Sequence, residues 1–296
     1  APLMAIGRPA ETLADVPVVE RRRWLAAITT FCRKRPLGAI GAAIVVVNVA
    51  AALGADVLAP YHPLATDYGA MLTRPSAAHW LGTDAFGRDV LSRLIYGSRT
   101  AMLVGFSCAF VGATLGVVIG VMSAYFGGKI DLMIQRLMDI LLSFPLIILA
   151  LAVVAILGTG ITNVIMAIIV PMVPRAALVA RSSALSIREM PYVDAARAAG
   201  FRHGRIIMRH MLPNVMAPYL IMLTAYQGQA ILLEASLSFL GLGVAEPTPA
   251  WGLMLSGAAV DFAETAPWMA IFPGVAISLS VFGFSLFGDS LRDALD

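Results

Sequence analysis

Three groups of polar residues stand out from an otherwise apolar chain, and each could do a different kind of chemistry. Glu234 lies inside "AYQGQAILLEASLSFLG", with no basic residue within one helical turn. An acid at membrane depth usually faces a bundle interior or a water-filled path. Three roles are open to it: lining or gating a path, bonding backbone or hydroxyl groups of a neighbouring helix, or selecting a solute. A second group, Asp84, Arg88, Asp89 and Arg93, places opposite charges four residues apart. On a helix that spacing makes ion pairs worth a few tenths of a kcal/mol each, a weak reason for them if stability alone is at stake. The third group is Arg202, Arg205 and Arg209, whose spacings of three and four put them on one helical face. Such a face suits lipid headgroups or a protein partner.

The motifs that are missing narrow the chemistry. The chain contains no HExxH, no GxSxG and no histidine–carboxylate pair inside an apolar run; His62, His79, His203 and His210 all fall between such runs. A membrane-embedded enzyme is therefore disfavoured. No phosphate-binding glycine-lysine loop occurs, so any ATP and its magnesium must be handled by another subunit, and no cofactor is expected in this chain. Cys32 and Cys108 suit neither a disulfide framework nor a metal cage, and read as free thiols. An autonomous secondary carrier would need an internal repeat and intramembrane ionisable relays. No convincing repeat is visible, and intramembrane charges are few.

The elements that must hold these residues are membrane helices. Of the residues, 59% are hydrophobic and 13% charged, with a mean hydropathy of +0.84. Soluble domains run near 25% charged, so the fold class is all-α and polytopic. Apolar runs place six spans at about 37–59, 100–126, 132–157, 162–185, 215–240 and 267–288. The first is longer than a signal-peptide core and reads as a retained span. Pro171 and Pro174 interrupt the fourth, which is expected as a kinked helix, and Pro145 is expected to kink the third. Arg136 and Asp139, one turn apart early in the third, are expected to pair. Gly112, Gly116 and Gly120 share a face of the second span, a pattern for close helix packing within the chain or for a subunit or pore-lining contact.

Residues 1–36 carry seven Lys or Arg and residues 175–209 another seven, whereas 241–266 carry none. The positive-inside rule makes both basic segments, and both termini, cytoplasmic. Residues 60–99, with four Arg, are the exception on the outer side. The organisation is then a cytoplasmic segment 1–36, a first span and external loop over 37–99, and a membrane core over 100–296.

Within the core, "DAARAAGFRHGRIIMRHMLPN" (194–214) separates two spans. Pro191 suits a first helical turn, and Gly200 suits a left-handed helix end. A second helix is expected over 202–212, stopping before Pro213. Ala195, Ala196, Ala198 and Ala199 leave little side-chain bulk on the first helix, a surface suited to insertion into a partner's groove. A solvated loop facing headgroups is the alternative. A DNA-binding helix-turn-helix shares the outline, but both ends are tethered to membrane spans, so no nucleic acid is expected.

This stretch resembles the EAA loop of binding-protein-dependent ABC importer permeases. Asp194 stands where Glu is usual, and Ala195, Ala196, Gly200, Leu212 and Pro213 match. "HWLGTDAFGRDVLSRLIYGSRTAM" (79–102) and "EASLSFLGLGVAEPTPAWG" (234–252) are similar to segments of the C-type subunit in the dipeptide, oligopeptide and nickel branch. The resemblance implies the six-helix type I permease fold in a prokaryotic inner membrane. It implies that residues 190–213, with Arg202 and Arg205, receive motion from two ATP-hydrolysing subunits. A second permease subunit, an extracytoplasmic binding protein and membrane lipid would complete the partners. It also implies that 84–99 is an amphipathic helix near the binding protein, with Asp84, Arg88, Asp89 and Arg93 either at that interface or anchoring the span.

Overall fold

The computed structural model describes residues 32–295. The chain divides into two units, residues 1–36 and 37–296, and everything below belongs to the second. Residues 1–31 of the expected cytoplasmic segment, with four of its seven cations, lie outside the described residues.

Eight helices of eight or more residues carry the architecture: α1 Pro36–Leu53, α2 Val90–Phe126, α3 Gly128–Leu142, α4 Leu146–Leu157, α5 Ile161–Arg188, α6 Pro191–Ala198, α7 Met216–Phe239 and α8 Trp268–Leu295. Among the described residues, five helices are long and apolar enough to cross a membrane, or six if the bent pair α3–α4 counts as one crossing. The six expected spans therefore each have a counterpart, with altered boundaries.

The first span is shorter than expected: α1 ends at Leu53, and Gly54 separates it from the short helix Ala55–Leu58. The second is longer. It starts at Val90 because Asp89 caps it, its side chain accepting from the Ser92 amide at 2.8 Å. At 37 residues, α2 is about 55 Å long, well beyond a ~30 Å hydrocarbon core. Residues 84–99 are thus not a separate amphipathic helix. They comprise a tight loop followed by the first turns of α2.

The third span does not kink but breaks, with α3 and α4 meeting at 91°. Pro145 is extended at ψ 134 and has no N–H to continue the ladder, and the residue before a proline is itself pushed away from helix. The expected Arg136–Asp139 pair does not form; both side chains are exposed. The ion pair that ties α3 down is Asp131–Arg181, in which Nε and Nη2 each lie 2.6 Å from a carboxylate oxygen on the facing helix. Pro171 and Pro174 sit inside α5 without ending it.

Close packing of α2 on α5 forms the core. A Cβ built on Gly116 would fall 2.2 Å from the Ala176 Cβ, and one on Gly120 2.3 Å from the Ala177 carbonyl. The glycine face therefore serves packing within the chain. Lipid is as apolar as leucine, so close backbone approach takes over the part that burial plays in water. Ala109, Ala113, Ala176, Ala180 and Ala184 continue the same seam. Across the bundle α7 packs on α2 and α8, and Asn48 of α1 accepts from Ser280 of α8 at 2.8 Å.

Candidate functional site

The polar residues gather at the two ends of α7, a helix of 24 residues and hence about 36 Å long. Before its start lies the cationic loop. Pro191 opens α6, and Asp194 in its first turn pairs with Arg197 at 2.9 Å. A negative group there complements the helix dipole. Gly200 ends the turn at φ +73, with open space where a Cβ would stand. Val193 and Ala196 face the core. Asp194, Ala195, Ala198, Ala199, Gly200, Arg202 and Arg205 are exposed, as is Pro213, while Leu212 is half-buried.

The second helix departs from expectation. It does not stop at Pro213. A short helix, His203–Ile206, widens into a π turn over Ile207–Met211, tightens to 3-10 over Leu212–Val215, and runs on into α7. The π turn is the local irregularity expected where a proline enters a continuous helix. Aromatic contacts brace the loop: the Arg205 guanidinium lies 4.3 Å above the Phe201 ring, and the His210 ring stacks on Phe201 at 6.2 Å. Tyr125 at the end of α2 bonds His203 Nδ1 at 2.7 Å. The outer surface thus presents arginines and small residues, together with Met190, Tyr192 and Met208, each more than two-fifths exposed. Arginine, methionine and tyrosine side chains are also the types enriched in protein–protein interfaces.

Beyond the far end of α7 lies a buried polar cluster. Asp84 accepts from the backbone of Phe86 and Arg88 at 2.8 and 2.9 Å and holds Arg88 Nε at 2.6 Å. Asp89 bonds Ser92 Oγ at 2.7 Å and His79 Nδ1 at 2.9 Å. Arg93 is only 2% exposed, yet its contacts are long: 3.8 Å to Asp84 and 3.7 Å to Glu246. Of the two expected helical pairs, Asp84–Arg88 therefore forms, in a loop. Asp89–Arg93 does not, because Asp89 is committed to capping.

Glu234 is 1% exposed on α7, and its carboxyl accepts from Ser238 Oγ one turn later at 2.7 Å. Ser238 in turn accepts from the Val244 amide at 3.2 Å. The bonded hydroxyl is thus on its own helix, not on a neighbour. This relay ties down the loop that carries Glu246, whose carboxylate reaches Arg88 Nη1 at 3.2 Å.

Sequence reasoning missed Glu246, His79, Tyr125 and the Asp131–Arg181 pair. Arg88 and Glu246 are 158 residues apart, and no local spacing connects them. The one visible signal for Glu246 was its place among three acids in a segment without cations.

Comparison with known proteins identifies the chain's relatives. Residues 116–296 match the family model described as "Binding-protein-dependent transport system inner membrane component". The chain is 43% identical over 264 residues to the dipeptide transport system permease protein DppC of Alkalihalophilus pseudofirmus, covering 89% of this chain and 86% of that protein. It is 39% identical over 289 residues to the glutathione transport system permease protein GsiD of Pectobacterium atrosepticum, covering 96% and 95%. A putative peptide transport system permease protein of Brucella suis is 41% identical over 257 residues, covering 87% and 86%. In fold, the chain resembles one from the inward-facing MetNI methionine ABC transporter, with a TM-score of 0.55 and 19% identity over 70% of this chain and 97% of that one. The chain belongs to the family of inner-membrane components of binding-protein-dependent transport systems, as a multi-pass permease subunit of an ATP-driven importer.

Proposed function

We propose that this chain forms half of the translocation path of an ATP-driven importer of short peptides or a related small solute. A second permease subunit supplies the other half, and two cytoplasmic ATPase subunits bind magnesium and ATP and dock on residues 190–213. An extracytoplasmic binding protein delivers the solute near the Asp84–Arg93 cluster. Both termini lie in the cytoplasm. The observation that carries this reading is the exposed loop itself. Its alanines admit a close backbone approach, its arginines offer charge to an acidic groove, and its braced turn can pass a push directly into α5 and α7. The peptide cargo rests on the names of the relatives, which include dipeptide, glutathione and peptide systems.

Topology is testable because residues 202 and 248 lie beyond opposite ends of α7. In a Cys32→Ser background, Thr248→Cys should label with a membrane-impermeant thiol reagent in intact cells, while Arg202→Cys should label only after permeabilisation. The opposite pattern would end the assignment. Coupling is tested by the double variant Arg202→Ala/Arg205→Ala. It should insert and fold normally, recover fewer ATPase subunits on purification, and lose most uptake.

A further inference from the structure

The polar cluster is unfinished. Arg93 is 98% removed from solvent by its 2% exposure, and its Nη1 has no hydrogen-bond partner. A buried guanidinium offers five donors in a planar fork, and leaving them unmet costs more than most surface contacts return. Here the two carboxylates nearest Arg93 both stand beyond hydrogen-bonding distance, at 3.7 and 3.8 Å. Asp84 cannot move closer, because both its oxygens are already used by the Phe86 and Arg88 amides and by the Arg88 side chain. Asp89 is held by Ser92 and His79. Glu246 is different: its side chain is 50% exposed, and its shortest contact is 3.2 Å to Arg88.

A cavity of about 170 Å³ opens against these groups, lined by Asp84, Arg88, Arg93 and Glu246 on one side and by Leu253 and Met269 among its apolar residues. That is the size of engineered cavities that admit a ligand such as benzene. It has room for one small group with a short aliphatic stem, and none for a folded element. The charge count is equally specific. With Glu246 in place, two arginines face two carboxylates. With Glu246 turned out to solvent, the site carries one net positive charge, which a single carboxylate cancels.

We propose that this cavity is a carboxylate receptor on the entry side of the permease, and that Glu246 occupies it as an internal stand-in. An arriving C-terminal carboxylate of a short peptide displaces Glu246 and takes a two-pronged bond to Arg93. The last residue's aliphatic side chain then lies against Leu253 and Met269. Glu246 is free to leave, whereas Arg93, Asp84 and Asp89 are locked by burial. This inference rests on the peptide reading of the cargo.

The test uses the full chain in lipid nanodiscs, with calorimetric titration of alanyl-leucine, alanyl-leucinamide, N-acetylglutamate α-amide and acetate. Glu246→Gln removes the stand-in's charge at a half-exposed position and should not disturb folding. Alanyl-leucine should bind this variant about tenfold or more tighter than wild type, and the amide should not bind detectably. Arg93→Lys should lose most of the gain, because an ammonium cannot make the two-pronged bond. Equal binding in wild type and Glu246→Gln, or equal binding of the amide, would overturn the proposal. Acetate binding as well as the peptide would make the site an adventitious ion site only. Preference for N-acetylglutamate amide would make it a seat for an acidic side chain of a docked protein and overturn the peptide assignment. Peptide uptake by the complete importer is measured in parallel. Uptake without binding in the chain sinks the cavity alone, and binding without any peptide uptake sinks the cargo reading alone.

Discussion

The two ends of α7 handle charge in opposite ways. At the cationic loop, Arg202 and Arg205 point into solvent, and the one carboxylate, Asp194, pairs locally with Arg197. Around residues 79–93, the charges are turned inward, bonded to backbone amides and to one another, with Arg93 and Asp89 almost fully buried. An exposed arginine is already solvated, so it contributes little to folding and stays available to a partner. A buried arginine must be compensated inside the fold, so it constrains the geometry around it. In the function proposed above the loop docks a partner, and in the further proposal the cluster receives a carboxylate. Substitutions should therefore separate assembly from folding at the two ends.

The largest effect is expected at Gly200. Its φ of +73 is costly for a β-branched residue, although a side chain would meet no neighbour there. Gly200→Val should leave the chain inserted and lower its stability by no more than the ~1–3 kcal/mol strain of the turn, while uptake falls to background and ATPase subunits fail to co-purify. Normal uptake would break the contrast, because the loop would then tolerate the wrong turn.

At the other end the loss should appear first in stability. Arg93→Ala empties the space of a fully buried side chain while Arg88 still holds Asp84 and Glu246, at a cost of about 2–3 kcal/mol, read as a shift of the denaturation midpoint in mixed micelles. Arg202→Ala should shift the same midpoint by no more than about 0.5 kcal/mol. Equal shifts would erase the distinction between the two ends.

Glu234 sharpens the comparison. Because its carboxyl holds Ser238 and, through it, the Val244 amide, Glu234→Gln keeps an acceptor and should change stability by less than about 1 kcal/mol, with uptake retained. Glu234→Leu, which abandons the relay, should destabilise by about 1–3 kcal/mol. Should Gln abolish uptake while assembly and ATP hydrolysis stay intact, the carboxylate acts on the path itself and is not an anchor.

The smallest effect is at Asp56. Hydrogen bonds from Arg99, at 2.7 and 3.0 Å, and then from Tyr96 hold its carboxyl below the ordinary value of 3.8. Since the folded value is the lower one, the pair's stabilisation is present above pH 3.8 and is lost as pH falls through the folded value. Asp56→Asn should therefore flatten a slight fall in the unfolding midpoint below about pH 4, and should change nothing at pH 7 beyond the modest worth of an exposed pair.

Sequence alone determined the class of this protein and the local character of its pieces. Long apolar runs, with few charges between them, require membrane helices because lipid offers backbone groups no partners. Gly112, Gly116 and Gly120 marked a close-packing face, and Pro191 and Gly200 marked a helix start and a left-handed turn, since these depend only on neighbours a few residues away. Tertiary structure decided how charges are matched. The Asp89 carboxylate could pair with Arg93 or cap α2, and the loop geometry that brings His79 and Ser92 to it chose capping. Asp131 met Arg181 and not a residue of its own helix, because α5 lies against α3. Glu246 reached Arg88 only after α2 and α7 had packed. Electrostatic partners are chosen by distance in space and by the cost of burial, and neither is written into the spacing of residues along the chain.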